Sequence, residues 1–258
     1  MSERMETTFS GLSLRTCHTV GEFRQVLALQ KEVWGFEDIE LVPVRMFVVG
    51  EKIGGHVIGA FDQEKLVGFA FGLPGVHSGV PYIHSHMAAV HSDWRNTGLG
   101  RALKLFQREL VLSQGYRLME WTFDPLEIKN SYFNLERLGA VARRYVVNQY
   151  GITGSFLQGG LPTDRLVAEW WLNSDRVRQT LEEGKRPAVE TVAKVEVPAE
   201  IYTWKAANET RPKAAEVQRH IREELTKYLG EGLAVVGYER DAEGNGAFLL
   251  GAWSEPKE

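Results

Sequence analysis

The sequence lacks several features that would place it in a particular class of protein. It has one cysteine, Cys17, so no disulfide can form within the chain. It has no uninterrupted stretch of about 18 apolar residues and no amino-terminal segment in which positive charge precedes an apolar run. The sequence therefore predicts a cytoplasmic protein without a membrane partner.

An excess of either sign of charge is also missing. The 30 basic and 34 acidic residues leave a formal net charge of −4, and neither type forms a long run. The densest basic positions are the pair Arg143 and Arg144 and, separately, Arg176 and Arg178, and such short clusters are typical of solvated surface charge. We therefore expect no nucleic-acid partner.

Three histidines stand close together in the sequence and raise the question of a metal site. In a strand, His84 and His86 would share one face, and His91 follows shortly after. The chain contains neither HExxH nor CxxC, and a catalytic zinc ion needs a third protein ligand. We therefore predict no metal site, and a histidine on this strand is better suited to accept a proton.

Residues 90–101, VHSDWRNTGLGR, connect an apolar strand pattern to an amphipathic helix pattern. Gly98 and Gly100 can adopt backbone angles that other residues avoid and let a ligand approach the main chain. The helix that follows would present unpaired N–H groups and the positive end of its dipole. The segment therefore predicts a phosphate-binding loop.

Two common phosphate-binding motifs do not fit this loop. A dinucleotide-binding G-x-G-x-x-G would need glycine where the chain has Leu103. A P-loop would need a glycine followed by Lys-Ser or Lys-Thr, and the chain has none. The loop instead fits the pattern Gln/Arg-x-x-Gly-x-Gly/Ala, with the residues Arg95, Asn96, Thr97, Gly98, Leu99 and Gly100.

This pattern resembles the coenzyme A loop of the GNAT acyltransferase superfamily, and the surrounding sequence agrees. A strand pattern over residues 82–90 precedes the loop, an amphipathic helix follows it, and a second strand and helix occupy residues 116–123 and 128–138. Residues 122–127, TFDPLE, are similar to a bacterial branch of predicted acetyltransferases. The resemblance covers residues 14–172 and implies an α/β protein with a mixed sheet.

The resemblance also implies a co-substrate, acetyl-CoA or another acyl-CoA, and no metal. The pyrophosphate would bind the N–H groups from Arg95 to Arg101, and a main-chain N–H near Ala88 would polarise the thioester carbonyl. Asn130 would contact the coenzyme, although it stands closer to Gly139 than the family's asparagine does. The implied coenzyme-binding residues are Ala88, Ala89, Val90, Arg95, Asn96, Thr97, Gly98, Leu99, Gly100, Arg101 and Asn130.

The transfer that the resemblance implies needs a base. An amine with a pKa near 10.4 is neutral in only about one molecule in 2,500 at pH 7, a deficit of roughly 4.6 kcal/mol. His86, His84 and Glu120 lie on the two predicted central strands and could accept the proton. We select His86 because it stands nearer to Ala88.

The proton donor departs from the family pattern. Many members carry a tyrosine four residues before the final glycine, where this chain has Leu135, so Tyr132 or Tyr145 would substitute. This departure leaves two hypotheses open. The first is an acyl-CoA-dependent N-acyltransferase that acts on an amine of a small molecule or a peptide. The second is a non-catalytic module that binds acyl-CoA as a sensor or for assembly.

The length of the chain predicts more than one structural part. Residues 182–187 are polar and interrupted by glycine and proline, which indicates a linker. We therefore predict an acyltransferase domain over residues 1–181 and a small appendage over residues 187–258, built from a strand, a helix and a hairpin. The appendage is too small to be stable alone, so it should pack on the first domain or on the partner subunit of a homodimer.

Overall fold

The computed structural model describes residues 5–77, 79–151 and 158–256. Within these ranges it contains eleven strands and seven α-helices, which confirms the α/β class. The strands are β1 (Glu6–Phe9), β2 (Leu12–Thr16), β3 (His56–Asp62), β4 (Lys65–His77), β5 (Val80–Val90), β6 (Leu118–Phe123), β7 (Val141–Val146), β8 (Arg165–Trp171), β9 (Ala193–Val197), β10 (Ala234–Arg240) and β11 (Gly246–Gly251). The helices are α1 (Val20–Trp34), α2 (Val44–Lys52), α3 (Leu99–Ser113), α4 (Ile128–Tyr132), α5 (Asp175–Glu183), α6 (Ile201–Ala206) and α7 (Arg211–Gly230).

The chain divides into two compact units, Met1–Met119 and Glu120–Glu258, and the division falls inside β6. The linker predicted over residues 182–187 lies within the second unit, but it begins too early: residues 182 and 183 are the end of α5, and only residues 184–187 lie between α5 and β9. The separation of a 1–181 domain from a 187–258 appendage stays a prediction. Across the described part of the chain, no helix has both the length and the apolar character needed to cross a membrane.

The first unit is built on five antiparallel strands in the order β1-β2-β3-β4-β5. Neighbouring residues of a strand point to opposite faces, and two separate clusters of buried side chains result. The cluster on one face packs α1 and α2 against the strands through Phe23, Phe47, Phe69 and Phe71. The cluster on the other face packs α3 through Leu99, Leu103, Phe106 and Leu110.

Two local features of the first unit, the start of α1 and the hairpin of β3 and β4, follow from the sequence. The spacing of Thr19 and Glu22 in the sequence predicts a capping box, and the two residues form it at the start of α1. The strand patterns of residues 56–61 and 66–73 predict a hairpin with a four-residue turn; the hairpin is found between β3 and β4, but its turn is shorter. Asp62 and Lys65 pair across the strands, which leaves a two-residue turn with Gln63 at φ 53°.

The helix predicted over residues 128–138 does not keep a single geometry. α4 ends at Tyr132 and continues into a π-helical turn, Phe133–Arg137, in which the Leu138 N–H donates to the Phe133 carbonyl at 3.1 Å. The chain then leaves the helix at Gly139, as predicted, with φ 76°. A β-carbon at Gly139 would lie 2.7 Å from Thr180 Oγ1, so the position needs glycine for space as well.

The second unit has the strand order β6-β8-β7-β10-β11-β9. Val235 of β10 pairs with Ala142 of β7, so the strands of residues 187–258 continue a sheet that begins before them. The buried Arg176 of α5 donates to the Gly139 carbonyl at 2.9 Å and to the Val236 carbonyl at 2.6 Å. The apolar pattern that ends at Leu229 predicts Gly230 as the helix cap, but α7 includes Gly230 and its C-cap is Glu231.

We expect residues 187–258, expressed alone, to give no cooperative unfolding transition. The fragment would lose the strand pairing between β10 and β7 and the contacts made by Arg176, and it is too small to bury a sufficient core. Thermal unfolding followed by circular dichroism tests this. A cooperatively folded monomer would contradict the dependence that we describe.

Candidate active site

Strand β5 contains a β-bulge at His86. Phe71 of β4 pairs with Met87, whereas the next residue, Gly72, pairs with Ser85, so β5 carries one extra residue between the two pairs. The insertion reverses which face each position occupies. Ser85 points to α3, while Met87 packs in the cluster below α1 and α2. His86 is therefore the extra residue of the bulge, and the two faces change beyond it.

The two predicted histidines of β5 lie close together. The ring of His86 meets Phe71 edge-on with centroids 6.0 Å apart, and its centroid lies 5.9 Å from that of His84. The side chain of His86 keeps an exposed surface, yet the surrounding protein desolvates it and lowers its pKa below the ordinary value. At neutral pH this histidine is uncharged and able to accept a proton.

Four buried polar side chains lie on the opposite face of the bulge, between the sheet and α3; we call them the buried network. Lys104 Nζ donates to Ser85 Oγ at 2.7 Å, and Ser85 Oγ donates to Gln107 Oε1 at 2.9 Å. Gln107 Nε2 lies 2.9 Å from Nε2 of His56 on β3. Burial lowers the pKa of Lys104 to about 7, and burial together with the nearby Lys104 charge lowers the pKa of His56 to about 3.

These contacts define the protonation of His56. Because Gln107 Oε1 receives the Ser85 hydroxyl, Gln107 Nε2 is the donor to His56 and the proton of the neutral imidazole is on Nδ1. This Nδ1 is buried and has no hydrogen-bond partner in the described ranges. A β-carbon at Gly72 would lie 2.6 Å from His56 Nε2, so the ring occupies space that only glycine leaves open.

The loop after β5 has the geometry of an anion cradle. Asn96 and Gly98 adopt positive φ angles of 61° and 92°, and Gly98 is the residue before the first turn of α3. The first helical hydrogen bond runs from the Ala102 N–H to the Gly98 carbonyl, and no side chain caps the helix. The N–H groups of Leu99 and Gly100 therefore have no acceptor within the helix.

Side chains around the loop hold it and give it positive charge. Leu99 is fully buried and anchors the start of α3, while Thr97 Oγ1 donates to the Trp94 carbonyl at 2.7 Å. Arg95 is exposed in the same loop. His91 pairs with Glu32 of α1 at 2.9 Å, and no group of three or more potential ligands suited to a metal ion occurs among the residues that can be described.

The remaining predicted site residues belong to the second unit. The side chain of Glu120 on β6 is buried and forms an ion pair with Arg144. Asn130 is exposed on α4, and the half-buried ring of Tyr132 lies 5.8 Å from the Arg240 guanidinium. Tyr145 donates to Asp164 Oδ2 at 2.7 Å, and burial is the main cause of its raised pKa.

Sequence reasoning missed the buried network. Lys104 and Gln107 are polar residues on the buried side of α3, and Gln107 continues the stripe formed by Leu103 and Leu110. A polar residue within an apolar stripe indicates a buried partner, and this signal was available in the sequence. The identity of the partners, Ser85 and His56, depends on strand register and could not be read from the sequence.

Comparison with known proteins agrees with this geometry. Residues 23–130 match the model of the acetyltransferase (GNAT) family. This part of the chain is therefore similar to GNAT acetyltransferases, which confirms the resemblance that the loop predicts. The matched residues include β5, the cradle and α3. No curated protein sequence matches the chain.

Solved structures share the fold at low sequence identity. A GNAT-family protein from Desulfovibrio desulfuricans aligns with a TM-score of 0.51 and 18% identity over 62% of this chain and 99% of its own. An acetyltransferase-family protein from Acinetobacter baylyi gives a TM-score of 0.52 and 16% identity over 65% and 96%. The ribosomal-protein-S18-alanine N-acetyltransferase of Escherichia coli gives 0.50 and 14% over 66% and 96%. These likenesses concern the fold.

The two glycines of the cradle should respond differently to substitution. Gly98→Ala forces a side chain into a left-handed conformation and should destabilise the protein by about 1–2 kcal/mol. At Gly100 the nearest atom to a β-carbon is Val90 Cγ2 at 3.9 Å, so Gly100→Val should keep the melting temperature and obstruct the ligand. We expect calorimetry to show at least a tenfold loss of coenzyme A affinity, about 1.4 kcal/mol, for Gly100→Val. Unchanged affinity would remove the loop assignment.

The buried Lys104 should make stability depend on pH. Its pKa is about 7 in the folded protein and near 10.5 when unfolded, so the unfolded chain binds more protons between these values. The contribution of Lys104 to stability is therefore full above pH 10.5 and falls as the pH is lowered towards 7. We expect Lys104→Met to be more stable than the wild type at pH 7, with a difference in unfolding free energy that shrinks towards pH 10. Urea unfolding at several pH values measures this difference, and a difference that does not change with pH would contradict it.

Proposed function

We propose that the protein transfers an acyl group, most simply acetyl, from coenzyme A to an amine by direct transfer. The observation that carries this proposal is the continuity of β5, on which the bulge at His86 leads directly into the cradle around Gly98. A thioester and the phosphates of one coenzyme need two such sites, connected by an extended segment. Ala88, Ala89 and Val90 are that segment.

The residues present suit coenzyme A. The N–H groups of Leu99 and Gly100 and the positive end of α3 suit a pyrophosphate, and Arg95 adds positive charge in the same loop. The space above Gly100 lets a phosphate approach the main chain. When bound, the acyl-CoA supplies the activated acyl group, and Ala88 has the position to offer its N–H to the thioester carbonyl as an oxyanion contact.

The transfer itself forms one bond and breaks one. The lone pair of the amine attacks the thioester carbonyl carbon, the C–N bond forms, and the C–S bond breaks with release of the coenzyme A thiolate. The amine loses a proton to His86 Nδ1 or Nε2, directly or through water. His86 suits this step because its lowered pKa keeps it neutral at pH 7, whereas Glu120 is already paired with Arg144.

Of the candidate residues that could donate a proton to the thiolate, one tyrosine remains. Leu135 is buried and apolar, and the hydroxyl of Tyr145 is engaged with Asp164. Tyr132 keeps a partly exposed ring, and we assign it this role together with the coenzyme contact of Asn130. The acceptor class is an amine, carried by a small molecule or by a peptide.

A second candidate function is a non-catalytic module that binds acyl-CoA. The apolar side chain of Leu135, at the position of the family's usual proton donor, favours it. Release of thiol from acetyl-CoA in the presence of a panel of small amines and amino-terminal peptides distinguishes the two. Tight coenzyme binding without any amine-dependent release would support the module and overturn the transferase.

Substitution of His86 tests the base. In His86→Ala and His86→Gln we expect kcat to fall about 100- to 10,000-fold while the affinity for coenzyme A stays the same. His86→Gln keeps hydrogen bonding without accepting the proton, so it separates catalysis from packing. Because desolvation lowers the pKa of His86, the wild-type rate should rise with pH through a value below 6.5. Wild-type turnover in both variants would exclude His86 from the mechanism.

A further inference from the structure

The buried network crosses the sheet at the level of the bulge. His56 pairs with Gly72 across β3 and β4, and Gly72 pairs with Ser85 across β4 and β5, so the three residues form one row. Ser85 is the residue immediately before His86. Lys104 and Gln107 hold this row from α3 through contacts of 2.7 and 2.9 Å to the Ser85 hydroxyl.

The network is a poor device for stabilising the fold. Lys104 and His56 are almost completely buried, and burial disfavours the charged form of each. His56 Nδ1 stays without an acceptor in the part of the chain that is described, and a buried unsatisfied donor is costly. Apolar side chains of similar size would fill this space at lower cost. The network therefore needs another explanation.

The position of the network on α3 suggests an explanation. The first turn of α3 is part of the cradle, and Lys104 and Gln107, which contact Ser85, lie further along the same helix. A bulge lacks the regular pairing that fixes the rest of a strand, so its conformation depends on what holds the flanking residues. Two hydrogen bonds from α3 to Ser85 would fix the bulge at a constant distance from the phosphates.

We propose that Lys104, Ser85, Gln107 and His56 are positioning residues that hold the β5 bulge in register with the coenzyme cradle. The proposal rests on the proposed transferase function, because the bulge is where the thioester would react. A thioester displaced by about 1 Å from its attack geometry reacts roughly a hundred times more slowly. The loss would appear in the chemical step, since the phosphates bind elsewhere on α3.

Two variants of the full-length protein test the proposal. Ser85→Ala removes only the hydroxyl, and Lys104→Met removes the ammonium while keeping most of the volume. We expect both to lower kcat between tenfold and a hundredfold, to leave the affinity for coenzyme A within twofold, and to leave the melting temperature unchanged or raised. Ser85→Thr, which keeps the hydroxyl, should recover most of the rate. Leu103→Met, a substitution on the buried face of the same helix, is the control and should retain the wild-type kcat.

The outcomes separate this proposal from the one on which it rests. If the wild type acylates amines and the Ser85→Ala and Lys104→Met variants have the wild-type kcat, the positioning role alone is overturned. A wild type without amine-dependent turnover would overturn both. Hydrogen exchange gives a readout independent of activity. The His86 and Met87 amides should exchange faster in Ser85→Ala than in the wild type, and equal exchange rates would also contradict the proposal.

Discussion

The insertion of one residue into β5 is the constraint on which the first unit depends. Because side chains alternate along a strand, an extra residue between the Phe71 and Gly72 pairs exchanges the two faces from that point onward. Ser85 can then face the buried network under α3, while Met87 and Ala89 join the aromatic cluster under α1 and α2. Without the bulge, Ser85, Met87 and Ala89 would all point to the same face of the sheet, so either Ser85 would leave the buried network or Met87 and Ala89 would leave the aromatic cluster. The fold and the site thus share one requirement.

Two opposing demands meet at α3. Leu99, Leu103 and Phe106 bury the helix against the sheet and stabilise it, whereas Lys104 and Gln107 bring polar groups into the same layer at a cost in free energy. The first turn, by contrast, has no side-chain cap, and the N–H groups of Leu99 and Gly100 have no acceptor within the helix. Because the buried side chains hold the rest of the helix against the sheet, its amino-terminal end can stay helical without a side-chain cap. The packing of the helix body therefore supports the openness of the cradle.

The sequence predicted the features that local chemistry determines. The capping box of Thr19, the strand patterns and the special backbone angle of Gly98 all depend on residues close together in the chain, and each is found. The bulge gave no such signal. Residues 82–90 place both polar and apolar side chains on each face, so the sequence pattern does not show where the two faces of the strand are exchanged. The partners of Lys104 depend on pairings between β3, β4 and β5. α2 also escaped prediction because its short apolar pattern is interrupted by Gly50. What was missed is set by contacts distant in sequence.

The π-helical turn changes how the position of the missing tyrosine is understood. Counting four residues back from Gly139 along an α-helix arrives at Leu135, but a π turn holds one residue more than an α turn. From Phe133 to Arg137 the register is therefore shifted, and Asn134 occupies the direction that an α-helix would give to Leu135. Asn134 is buried and accepts a hydrogen bond from Trp121 Nε1 at 3.3 Å. An amide cannot donate a proton to a thiolate as a phenol does, so the shifted register removes an acid from this position whichever count is used. The reaction must then depend on a donor outside the turn, such as Tyr132, or on departure of the thiolate as an anion.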